Sequence, residues 1–96
     1  MAEAKLHWLV SYDIRDPKRL RLVAKTLHAF GTRMQYSVFV CDLSFQELID
    51  MKEELRSILC PEDSVMIVPL GPGYDSSCFD FMGARRDLPS DGPVIV

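Results

Sequence analysis

Apolar and polar positions alternate along this chain in two periods, and the switches between them divide it into elements. Over residues 6–13 the period is two. Leu6, Trp8, Val10 and Tyr12 fall on one face of a predicted strand, and His7, Leu9, Ser11 and Asp13 on the other. Asp16-Pro17 then supplies an N-cap followed by proline at the first helical position. Leu20, Val23, Ala24 and Leu27 recur at helical spacing, and Gly31 is read as the close of that helix. Arg19, Arg21 and Lys25 fall off the apolar stripe and are expected to face water.

Residues 33–42 are predicted to form a second strand, with Met34, Tyr36, Val38 and Val40 alternating against Gln35, Ser37, Phe39 and Cys41. A capping box follows. Ser44 is the N-cap, Glu47 stands at the third helical position, and Leu43 and Leu48 can form the hydrophobic staple. The second helix, with Leu48, Met51, Leu55 and Ile58 as its stripe, is expected to run to about residue 59, and Pro61 prevents its continuation. Ser64–Leu70 reads as a third strand ended by Gly71-Pro72-Gly73, and Phe79–Gly83 as a short fourth. Residues 87–93 read as a loop, and Val94-Ile95-Val96 as a short apolar tail.

The order is assigned as β-α-β-β-α-β with an extra piece at the end. That is an α+β, ferredoxin-like sandwich with both helices on one face of an antiparallel sheet, in a single domain over residues 1–96. The other face is expected to carry Leu9, Phe39, Met66 and Val68 among polar groups. A half-apolar open face on a small domain usually meets a partner, and a symmetric dimer is the commonest solution. Leu9, Phe39, Val94, Ile95 and Val96 are therefore the predicted dimer-interface residues. The tail, about residues 84–96, either adds to a sheet edge of the second subunit or packs on its own chain.

Composition narrows the class. The chain has 96 residues, enough for one core, and an ordinary globular balance of apolar and charged residues. No charged-then-apolar leader and no bilayer-length apolar run is seen, so the expected compartment is the cytoplasm and no membrane partner is expected. Cys41, Cys60 and Cys78 have no CxxC spacing, which supports neither a disulfide framework nor a zinc site. The net charge is −3 but unevenly spread. Residues 1–33 hold Lys5, Arg15, Lys18, Arg19, Arg21, Lys25 and Arg33 against Glu3, Asp13 and Asp16, and the remainder is strongly acidic. Such a split gives either one basic face on an acidic body or an ordinary solvated helix.

Asp13 is the residue with most chemical meaning. It ends an apolar strand, and Arg15, Lys18, Arg19 and Arg21 follow within a few residues. A carboxylate at a strand end beside a cationic cluster suits holding Mg²⁺ near a phosphate. It equally suits capping the next helix or pairing with Arg15, and both readings stand at this point.

The ordered set Tyr12-Asp13-Ile14, Asp16-Pro17-Lys18-Arg19-Leu20-Arg21-Leu22-Val23-Ala24-Lys25, Gly31 and Arg33-Met34-Gln35-Tyr36-Ser37-Val38-Phe39 resembles the small CRISPR-associated nuclease family. Asp63-Ser64-Val65-Met66-Ile67 and the apolar tail resemble it too. That family is the second of the two core proteins of spacer acquisition. The resemblance implies a ferredoxin-like homodimer in which two copies of Asp13 share a Mg²⁺ across the interface, with Asp13 as metal ligand and catalytic carboxylate. It implies nucleic-acid contacts through Arg19, Arg21 and Arg33, which the N-terminal basic cluster extends to Arg15 and Lys18; Ser11 and Ser37 are candidates to hydrogen-bond near the metal, although most strand serines do nothing of the kind. It further implies a metal-dependent endonuclease acting on RNA or duplex DNA, and a scaffold role with a partner CRISPR integrase. The alternatives are a purely structural dimeric scaffold without catalysis, or a small-molecule-binding regulatory module of the same fold. An RNA-recognition module is disfavoured because Ser64–Val68 carries no aromatic on which bases would stack.

Overall fold

The structure is a computed structural model that describes residues 4–71, 74 and 76–83. Its elements are β1 (Leu6–Asp13), α1 (Pro17–His28), β2 (Gly31–Gln35), β3 (Val38–Leu43), α2 (Phe45–Arg56) and β4 (Ser64–Gly71), followed by a 3₁₀ turn over Ser76–Cys78. The strands form one antiparallel sheet in the order β2-β3-β1-β4. With both helices packed on one face, this is the ferredoxin-like arrangement anticipated from the element order.

Local chemistry starts each helix. The Asp16 carboxylate accepts from the Arg19 N–H at 2.9 Å, with Pro17 at the first helical position. The Ser44 hydroxyl accepts from the Glu47 N–H at 3.2 Å, and the Glu47 carboxylate accepts from the Ser44 N–H at 3.0 Å, so the capping box is closed in both directions. That hydrogen bond holds the Glu47 carboxyl below its ordinary pKa. The core cluster then joins Trp8, Val10, Tyr12 and Ile14 of β1 and its exit, Phe39, Cys41 and Leu43 of β3, Val23, Ala24 and Leu27 of α1, and Leu48, Met51 and Leu55 of α2. The Trp8 indole N–H is satisfied inside this core by the Leu43 carbonyl, 3.2 Å away.

Five expectations are corrected. The predicted strand over 33–42 is a hairpin of two strands turning at Tyr36-Ser37, and it supplies the two strands the fold needs between its helices. Phe39 is consequently not on the open face. Register pairs it with Val10, and it is fully buried beneath the helices rather than available to a second subunit. Alternation misleads here because both faces of β3 are apolar, and Val40 is buried as well although it lies outside the core cluster. Gly31 does not end α1, whose C-cap is Ala29. It is a strand residue pressed against β3, where a β-carbon would lie 2.6 Å from the Cys41 sulfur and would collide with the Val40 carbonyl oxygen. Residues 79–83 contain no strand, and α2 ends at Arg56, short of residue 59. The loop over 87–93 and the interface residues Val94, Ile95 and Val96 lie outside the described residues.

Candidate functional site

The pleat of β1 places His7, Leu9, Ser11 and Asp13 on the face turned away from the helices, as their alternation predicts. Leu9 is paired with Val40 on one side and Val68 on the other, Ser11 with Val38 and Met66, and Asp13 with Ser64. Side chains directly opposite in a sheet share a face, so Leu9, Val38, Val40, Met66 and Val68 form a continuous apolar strip that ends at Asp13. Met66 is more than half exposed, and Asp13 is exposed.

Asp13 does not cap α1. Asp16 does, and the buried Ile14 separates the two acids. Arg15, Lys18 and Arg21 are exposed around the same turn. Among the described residues, no group of three His, Cys, Asp or Glu side chains converges on one point as a closed metal cage would require. One open carboxylate with a serine opposite suits Mg²⁺, which keeps several waters and takes one or two carboxylates together with phosphate oxygens. It does not suit zinc, which is held by three or four nitrogen or sulfur donors.

Two of the predicted phosphate-binding arginines are engaged by the fold. Arg19 does not face water. Its guanidinium donates to both oxygens of Asp63, from Nε at 2.7 Å and from Nη2 at 3.2 Å, and to Glu62 at 3.2 Å. The Asp63 side chain is only 1% exposed and also accepts from the Cys60 N–H at 2.9 Å. The guanidinium first, and that N–H second, hold the Asp63 carboxyl below its ordinary pKa, and the pairing raises the pKa of Arg19 in turn. This clamp fastens the start of α1 to the entry of β4, next to the residue opposite Asp13. Arg33 is half-buried. Its guanidinium lies over the rings of Phe39 and Tyr36, 5.2 and 5.8 Å from their centroids, and donates to the Tyr12 hydroxyl at 3.4 Å.

Sequence reasoning passed over Tyr12 and Tyr36. The Tyr12 hydroxyl donates to the Tyr36 carbonyl at 3.1 Å, and the Tyr12 N–H donates to the Ser37 carbonyl at 3.1 Å. Burial raises the Tyr12 pKa, so the phenol stays protonated and keeps donating. The available signal was a phenol on the core face of a strand, since a buried Tyr hydroxyl needs a partner.

The sequence pattern described as CRISPR associated protein Cas2 matches residues 6–77, from the start of β1 into the 3₁₀ turn. The chain belongs to the Cas2 family. The CRISPR-associated endoribonuclease Cas2 of Geobacter sulfurreducens is 44% identical over 66 residues, 68% of this chain and 70% of that protein. The CRISPR-associated endonuclease Cas2 of Halalkalibacterium halodurans is 36% identical over 93 residues, 91% of this chain and 96% of that protein. The crystal structure of Streptococcus pyogenes Cas2 superposes with a TM-score of 0.74 at 34% identity, covering 81% of this chain and all of that one. Family and fold therefore agree, and the matched stretch spans β1 to β4 of this chain. No helix among the described residues is long and apolar enough to cross a membrane.

Proposed function

We propose that the protein is a Mg²⁺-dependent endonuclease of CRISPR adaptation that works as a homodimer, with Asp13 of each subunit at the shared centre. The observation that carries this reading is the state of Asp13: an exposed carboxylate at the end of an apolar sheet face, excused from capping by Asp16. Pairing two copies through the strip of Leu9, Val38, Met66 and Val68 would cover that apolar surface and bring two carboxylates together. Two such acids repel unless a proton or a hard cation lies between them. Mg²⁺ held there would supply Lewis-acid polarisation of a phosphodiester and acidify a bound water. Asp13 binds the cation, and Arg15, Lys18 and Arg21 meet backbone phosphates of duplex DNA or RNA.

A second reading is a nucleic-acid scaffold for the partner integrase without chemistry of its own. It is favoured by the engagement of Arg19 and Arg33 within the fold, which leaves fewer cations for phosphate than the sequence offers. Cleavage of duplex DNA and of single-stranded RNA, with and without Mg²⁺, beside Asp13→Ala separates the two. Mg²⁺-dependent cutting that disappears in the variant supports the nuclease. Cutting that survives in the variant overturns the assignment of Asp13. Binding without cutting by either protein selects the scaffold.

A further inference from the structure

We propose that Tyr36 is a stacking platform for an unpaired nucleobase at the end of the sheet that carries Asp13. The proposal rests on the reading that this end of the sheet meets nucleic acid. Phe39, expected from the sequence at a dimer interface, is fully buried and can stack on nothing outside the core, and Tyr12 is buried as well. Tyr36 is 58% exposed at the tip of the β2–β3 hairpin. It lies at the same end of the sheet as Asp13, because Tyr12, the residue before Asp13, donates from its N–H to the Ser37 carbonyl and from its hydroxyl to the Tyr36 carbonyl.

The turn that carries the ring is held in place before any ligand arrives. The carbonyl of Tyr36 accepts from the Tyr12 hydroxyl, that of Ser37 accepts from the Tyr12 N–H, and the Arg33 guanidinium lies 5.8 Å from the Tyr36 ring centroid. Arg33 is fixed in turn by the Phe39 ring and the Tyr12 hydroxyl. A pre-ordered aromatic loses little freedom on binding, and a neighbouring guanidinium strengthens its stack with a base. Bases within a duplex already stack on each other, so the platform selects unpaired nucleotides and is blind to their identity.

The test is equilibrium binding of the full chain to labelled single strands and to a duplex, without divalent cation so that no strand is cut. Wild type is compared with Tyr36→Phe, Tyr36→Leu and Tyr36→Ala. The bonds that hold the turn use the Tyr36 main chain, so the variants keep them, and thermal melts confirm equal folding. Loss of one base stack weakens binding by roughly tenfold. The expected result is that loss for single strands in the Ala and Leu variants, with Phe retaining wild-type affinity and duplex binding changed by less than about twofold. Equal loss for duplex and single strand, or Leu binding as well as Phe, overturns the platform. Unchanged single-strand affinity in Tyr36→Ala also overturns it while leaving the nucleic-acid reading in place. A wild-type protein that binds neither probe overturns that reading itself, and the platform with it.

Discussion

Replacing Phe39 with alanine tests the central correction to the sheet's facing. Phe39 is fully buried, meets His28 edge-on at 4.9 Å, lies 6.2 Å from the Tyr12 ring, and has the Arg33 guanidinium 5.2 Å from its centroid. Truncation of a buried phenylalanine costs about 3–5 kcal/mol through lost transfer energy and the cavity left behind. A domain of this size has on the order of 5–14 kcal/mol in total, so the variant loses roughly a fifth or more of its stability. Phe39→Leu keeps much of the volume but no ring, and is expected to lose about 1–2 kcal/mol. Urea titration followed by far-UV circular dichroism and by the fluorescence of the buried Trp8 gives both values. Protein concentration is the decisive variable. A core residue destabilises the single chain, so the loss persists at the lowest concentration, where subunits are apart. A Phe39→Ala chain as stable there as wild type, within about 1 kcal/mol, would refute the core assignment and return Phe39 to an interface.

Gly31→Ala forces a β-carbon onto the Val40 carbonyl oxygen and the Cys41 sulfur, and overpacking of that kind costs about 1–3 kcal/mol; a melting temperature within about 3 °C of wild type would contradict it. The depressed pKa of Asp63 means that its contribution is complete above the unfolded carboxyl value, about pH 4, and is lost as pH falls through the folded value. Asp63→Asn is therefore expected to flatten the acid limb of a stability–pH profile, and an unchanged limb would count against the Arg19 clamp. Duplex affinity carried by Arg15, Lys18 and Arg21 gives a log–log salt slope near −2.7 per chain, against about −4.5 if Arg19 and Arg33 also neutralise phosphates. Anisotropy titrations across a KCl series read that slope directly, and Arg19→Gln is expected to leave it unchanged.

The helices were legible because their signals are local. Asp16-Pro17 and Ser44 with Glu47 act within one turn, and the structure repeats them bond for bond. The facing of β1 was legible because its apolar residues outweigh those on its other side. On β3 the residues facing the helices, Phe39 and Cys41, compete with an equally apolar Val38 and Val40, and only the Tyr36-Ser37 turn fixes which set turns inward. Asp13 was found from its position at a strand end. The partner of Arg19 was not, because Asp63 lies 44 residues away and periodicity carries no information on tertiary pairing. Tyr36 fell on the same side of the ledger, since its value depends on the fixed turn and on Arg33 rather than on its own neighbours in sequence.

The same geometry explains why the arginines of one cationic cluster separate into two roles. Arg19 points across the joint between α1 and β4 to a carboxylate that is almost fully enclosed, where leaving one charge unmatched is costly. Arg33 points from an edge strand over two rings, where its charge is retained but its freedom is lost. Each is more useful to the fold as a fixed point than as a mobile phosphate ligand. Arg19 steadies Asp63 beside the strand partner of Asp13, and Arg33 lies over the rings of Tyr36 and Phe39. Arg15, Lys18 and Arg21 have no such obligation and stay in solvent, free to adapt to a backbone whose phosphates come in no fixed sequence. Under the function proposed above, a site that holds one carboxylate while accepting many different strands would use both kinds of cation, and they lie within a span of nineteen residues, Arg15 to Arg33.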